Sequence, residues 1–229
     1  MTRITTLDGD GSFDAYVAEP SGAPKAAIVV IQEIFGVNQG IRRKCDTLAQ
    51  AGYLAVAPDL FWRLEPRVEL DPDVPDQFQR ALGLMGRFDQ DAGVRDIEAT
   101  IRWSRERIGG GKVGCVGYCL GGRLAYMAAA RTDVNASVGY YAVGIPDLLR
   151  EAHAIAHPLV LHIAGADHFV TPDQQAKMHE ALDAHAKVTL YDYPGADHGF
   201  AAEFGARRVP EAAELADGRT MAFFAERLG

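Results

Sequence analysis

Short apolar runs alternate with helix-forming segments along almost the whole chain, and that alternation leaves few folds open. Ala26–Ile31 is a continuous apolar run, the pattern of a strand buried on both faces. A helix is expected over about Gly40–Ala51, and Tyr53–Ala57 is a second buried run. After an excursion rich in Pro, Asp and Arg, Pro58–Pro75, helical periodicity returns over Asp76–Arg87 and Asp91–Arg107. The next units are Val113–Val116 with a helix to about Arg131, Ala136–Tyr141 with a helix near Asp147–Ala154, and Leu159–Ile163 with a helix over Pro172–Ala184. Val188–Tyr193 and a last helix, about Glu211–Arg227, complete the series. Ahead of them, Phe13–Glu19 alternates after the turn Asp8-Gly9-Asp10-Gly11 and reads as an antiparallel edge strand, with Arg3–Thr6 as its partner. The expected fold is one α/β domain over residues 1–229: a mostly parallel, doubly wound sheet with helices on both faces and an antiparallel N-terminal edge. Functional loops in such a sheet lie at the carboxyl ends of the strands.

Composition narrows the partners. Lys and Arg are outnumbered 23 to 31 by Asp and Glu, for a net charge of −8. With no basic block, the chain lacks a stripe for nucleic acid and a polybasic membrane anchor. Three cysteines, an odd count, make no disulfide framework and point to a reducing compartment. Met1–Phe13 has no apolar h-region, and Ala26–Ile31 is too short to span a bilayer, so a soluble cytoplasmic protein is expected. A monomer is the default, since no heptad or long apolar edge occurs. No dinucleotide fingerprint is present: Gly109-Gly110-Gly111 leads into a strand instead of following one. His153 and His157, and the pairs Asp167-His168 and Asp197-His198, have the look of metal ligands. A zinc site needs three or four converging ligands, so neither metal nor cofactor is expected.

One segment carries the chemistry. Gly117-Tyr118-Cys119-Leu120-Gly121-Gly122 follows the apolar run Lys112–Val116 and precedes a helix-forming stretch from Leu124. Gly-x-nucleophile-x-Gly belongs to a sharp strand-to-helix turn: the glycines let the backbone fold tightly, and the nucleophile is lifted from the strand end. The segment resembles the nucleophile turn of α/β-hydrolases, with a thiol as the nucleophile. In that fold the chain order is nucleophile, acid, histidine. Asp167 follows the strand Leu159–Ile163 and His198 follows Val188–Tyr193, so Cys119, His198 and Asp167 are assigned as a triad. Asp173, or Asp197 beside the histidine, could also take the acid's place. A free thiol has a pKa of about 8.5, so an imidazole must take its proton before attack. His198 is that base and Asp167 its orienting partner. The N–H of Leu120, at a helix N-terminus, is the first oxyanion donor. Cys115 reads as core, and Cys45 as packing or partly exposed.

The loop Gln32-Glu33-Ile34-Phe35-Gly36-Val37-Asn38 places a carboxylate among apolar residues just past a buried strand, where an unpaired charge is costly. With Pro58-Asp59, Gly114–Gly122, Gly139-Tyr140-Tyr141, Asp167-His168-Phe169-Val170 and His198, it makes the chain similar to the dienelactone hydrolase family over almost its full length. That resemblance implies hydrolysis of a small lactone or ester through an acyl-enzyme on Cys119. It also implies that Glu33 is a substrate-operated switch that takes the thiol proton, and that Ile34 supplies the second oxyanion donor. The family holds its substrate carboxylate with two arginines; the equivalent positions here are Phe78 and Ala202, with Arg80, Arg87, Arg207 and Arg208 as possible replacements. Phe35, Phe78, Arg80, Tyr118 and Phe200 are the expected substrate contacts. The alternatives are a carboxylesterase of unrelated substrate range, a thiol redox protein with Cys115 as resolving cysteine, and a non-catalytic binding protein.

Overall fold

A computed structural model describes residues 2–229 as an α/β chain in which eight mostly parallel strands alternate with helices. It separates into two compact units, 1–114 and 115–229, the boundary falling inside strand β5, Val113–Tyr118.

In the first unit β1 (Thr2–Thr5) and β2 (Ser12–Ala18) form the expected antiparallel edge, with Ile4 opposite Phe13. Ile4, Phe13 and Ala15 are buried between less buried neighbours, the alternation of an edge pair with one covered face, and Ala18, out of that alternation, is buried as well. β2 then pairs antiparallel with β4 (Leu54–Pro58), and β4 pairs parallel with β3 (Ala27–Ile31). Every residue of β3 and β4 is buried, which is why both read as unbroken apolar runs. Helix α1 (Gln39–Gln50) makes the crossover between them, and the Asn38 side chain caps it by accepting from the Ile41 N–H at 3.2 Å. α2 (Pro75–Met85) and α3 (Gln90–Arg107) follow the excursion.

The excursion is tied down from both ends. Asp59, buried, accepts from the N–H groups of Phe61 and Arg67 at 3.2 and 2.6 Å. Burial raises its carboxyl pKa against the pull of those two donors. Farther along, Leu70 N donates to Phe35 O at 2.9 Å and Asn38 Nδ2 to Leu70 O at 3.0 Å. Gly36 sits at φ +75°, where a Cβ would run into the Val68 carbonyl, so the two backbones can meet only at a glycine.

In the second unit the strand order is β5, β6 (Ala136–Tyr140), β7 (Leu159–Ala164), β8 (Val188–Tyr193), with β6, β7 and β8 mutually parallel. α4 (Leu120–Arg131) packs on β6, α5 (Pro172–Leu182) on β8, and α6 (Pro210–Leu228) on β6. Two expectations need correction. α4 begins at Leu120 and not near Leu124, because the turn at Cys119 opens straight into helix despite the Gly-Gly pair. The helix near Asp147–Ala154 is a 3₁₀ segment, Ile145–Ala154, entered through Gly144 in the left-handed region and Pro146.

Candidate active site

The turn at the end of β5 is strained in the way a presented nucleophile requires. Cys119 adopts φ +56° and ψ −115°, a region that costs a residue with a Cβ about 1–3 kcal/mol. Its neighbours hold it there: Cys119 N donates to Tyr140 O at 3.0 Å and Cys119 O accepts from Arg123 N at 3.2 Å. Gly117 and Gly122 are required by sterics. A Cβ on the first would meet the Gly121 carbonyl, and one on the second would come within 2.7 Å of Tyr140 O. Leu120, at the first position of α4, directs its N–H into the unsatisfied end of the helix.

The loops after β7 and β8 bring an acid and a histidine together. His198 Nδ1 donates to Asp167 Oδ2 at 2.9 Å, between side chains 3% and 1% exposed. The other oxygen, Asp167 Oδ1, accepts from the N–H groups of Phe169 and Val170 at 2.8 and 3.2 Å. One carboxylate thus fixes both the imidazole and its own loop. Asp197 does different work: its Oδ1 accepts from His198 N at 2.6 Å, His168 N at 3.1 Å and His168 Nδ1 at 2.8 Å, pinning the two loops to each other. Asp173 lies in the first turn of α5. Of the three acids open in the sequence, Asp167 is the one hydrogen-bonded to the ring.

The second ring nitrogen, His198 Nε2, is buried and makes no hydrogen bond of good geometry. Desolvation pulls the imidazole toward neutrality, but the neighbouring Cys119 and the bond to Asp167 together outweigh it and hold the pKa up at about 10. Tyr141, at φ +36°, puts its ring 5.0 Å from that of His198, and Phe169 contributes another ring at 4.8 Å.

A family model for the dienelactone hydrolase family matches residues 13–228. The chain belongs to that family. It is a hydrolase of lactone or ester bonds. It is 48% identical to an Azospirillum brasilense protein provisionally named a carboxymethylenebutenolidase, over 100% of both chains. With the Pseudomonas putida carboxymethylenebutenolidase it shares 41% identity over 97% of this chain and 94% of that one. A crystal structure from Klebsiella pneumoniae subsp. pneumoniae, provisionally described as a dienelactone hydrolase, superposes with a TM-score of 0.83 at 31% identity, covering 97% of each chain.

The remaining candidates of this dienelactone hydrolase relative fall into two groups. Glu33, Ile34 and Phe35 lie in the loop after β3, all buried, and the loop is braced by Gln32, whose Nε2 donates to Glu33 O at 3.3 Å while its Oε1 accepts from Leu60 N at 3.1 Å. Phe78 packs its ring 5.8 Å from that of Phe35. Tyr118 is buried against Tyr140, ring to ring at 4.8 Å. Two of the expected substrate contacts are engaged within the protein itself. Phe200 is fully enclosed among Tyr140, Tyr141 and Tyr193. Arg80 is exposed and its guanidinium is taken by Glu65. Arg208 Nη1 donates to Ala202 O at 2.8 Å, and the Arg207 guanidinium lies against Gly199, beside the histidine.

Asp167, His168 and Asp197 offer ligand atoms within 4.8 Å of one another, but those atoms serve the imidazole and the loop amides just described. Cys45 is fully buried, and Cys115, also buried, is hydrogen-bonded to Ser137 Oγ at 3.3 Å; all three cysteines are free. No helix among the described residues is long and apolar enough to cross a membrane. Sequence reasoning missed Phe169 as a neighbour of the imidazole and passed over a buried polar chain behind β6. There His162 Nδ1 meets Tyr193 OH at 2.8 Å, His162 Nε2 meets Thr220 Oγ1 at 2.9 Å, and Tyr140 OH meets Thr220 Oγ1 at 2.6 Å and donates to Asp217 at 2.9 Å. The available signal was a histidine inside the apolar run Leu159–Ile163.

Proposed function

We propose that the chain, acting as one domain over residues 1–229 and as a monomer in a reducing cytoplasm, hydrolyses a small ester or lactone through Cys119, with His198 as base and Asp167 as its orienting acid. The observation that carries this reading is the buried His198–Asp167 bond, which leaves the second ring nitrogen, Nε2, without a hydrogen bond. The Cys119 thiolate adds to the carbonyl carbon. The oxyanion is met by the N–H of Leu120 and, on the family resemblance, by that of Ile34; each such donor is worth about 2.7–4 kcal/mol. Collapse breaks the C–O bond, and imidazolium gives its proton to the leaving alkoxide. Neutral His198 then takes a proton from water as it attacks the thioester; the acid is released and the thiolate and imidazolium are restored.

Glu33 is proposed, from the resemblance, to take the proton of a resting Cys119 thiol when substrate arrives, releasing the thiolate that pairs with protonated His198 and enters the cycle above. Carrying carboxylate-bearing lactones over from the family is less well supported, because Phe78 and Ala202 stand where its arginines would. The substrate is read as an ester or lactone for which a carboxylate is not required, and a carboxylesterase of different range is the second reading. The test is turnover of an activated aryl ester, wild type against Cys119→Ala, followed by lactones and esters with and without a free carboxylate. Activity surviving in Cys119→Ala would overturn the proposal.

A further inference from the structure

Phe169 is unusual among the large apolar residues near the site, because it is 45% exposed while its backbone is held fast. Its N–H is one of the two that Asp167 Oδ1 binds, so the carboxylate that orients the imidazole also sets the position of this ring. The ring lies 4.8 Å from that of His198 at an interplanar angle of 81°, and 4.0 Å from that of His168. A half-exposed aromatic ring, fixed beside a nearly inaccessible imidazole, offers apolar surface next to the group that must deliver the proton.

We propose that Phe169 is a specificity-determining residue that receives the leaving-group side of the substrate and favours an aromatic alcohol. The inference rests on the Cys119–His198 reading. His198 protonates the leaving oxygen, so whatever that oxygen carries is brought next to the imidazole, and Phe169 is the exposed ring already there. An aromatic pair gains about 0.5–1.5 kcal/mol beyond simple area burial, up to roughly a tenfold preference.

The experiment compares benzyl acetate with cyclohexylmethyl acetate, which share an acyl group and differ in the π-system of an alcohol of similar size. Wild type, Phe169→Leu and Phe169→Tyr are assayed for kcat and KM, and the pH profile of Cys119 alkylation by iodoacetamide is recorded for each. In Phe169→Leu the benzyl-to-cyclohexylmethyl ratio of kcat/KM is expected to fall roughly two- to tenfold, mainly through KM, with the alkylation profile in place; Phe169→Tyr restores the ratio. An unchanged ratio overturns the inference, whether or not the alkylation profile moves; a moved profile would assign the ring to propping the imidazole. If Cys119→Ala turns over both esters as wild type does, the underlying mechanism has failed instead, a result the ratio alone cannot produce.

Discussion

Each oxygen of Asp167 has its own task, and substitution separates them. In Asp167→Asn the loop amides can still be bound by the amide oxygen, but the imidazole loses the anion that fixes its tautomer. A loss in kcat of roughly 10⁴-fold is expected with the fold retained, read by steady-state kinetics beside circular dichroism. His198 gives a pH test. Its folded pKa of about 10 lies above the ordinary histidine value of 6.5. The protonated ring therefore stabilises the folded state fully below about pH 6.5, and that contribution disappears as pH rises through 10. Melting temperatures across that window should fall more steeply for wild type than for His198→Ala. For Glu33, on the proposed switch role, Glu33→Gln is expected to lose most turnover; wild-type kcat in that variant would remove the role. These residues were visible in sequence because reactive side chains sat on strand-end loops in a set order. Phe169 was not, since nothing in a linear pattern says that an apolar side chain stays exposed.

At the level of elements, the turn between β5 and α4 was legible and its consequences were not. Gly-x-Cys-x-Gly announced a tight turn, yet the helix start was placed too late, because two glycines argue against helix unless close packing demands them. Here it does, with Gly122 facing Tyr140 O. The polar chain behind β6 and β7 was hidden for the opposite reason: partners far apart in sequence satisfy one another only after folding. His162 is buried, and desolvation, aided by Arg219, lowers its pKa to about 3. A neutral buried histidine makes the fold acid-sensitive, since stability is present above pH 6.5 and is lost as pH falls through 3. Acid unfolding followed by circular dichroism should begin at a lower pH in His162→Asn than in wild type, once each curve is referenced to its own stability at pH 7.

For the molecule as a whole, the alternating pattern was enough to count every strand and most helices, because fully buried strands leave unbroken apolar runs. What it concealed was which thiols burial would silence. Cys45 and Cys115 are completely inaccessible, and desolvation pushes the thiol of Cys115 up to about 12 and that of Cys45 higher still. Iodoacetamide should therefore modify the native protein once, at Cys119, and the denatured protein three times, a count that intact-mass spectrometry reads directly.

The double attachment at Asp167 also bears on how such a site can change over generations. An acid that migrated to another strand end could reproduce the contact to the ring, but it would leave two main-chain amides without an acceptor and loosen the turn that carries Phe169. Relocation of the acid is thus penalised twice, and lineages descending from this chain should vary their leaving-group pocket long before they move that aspartate.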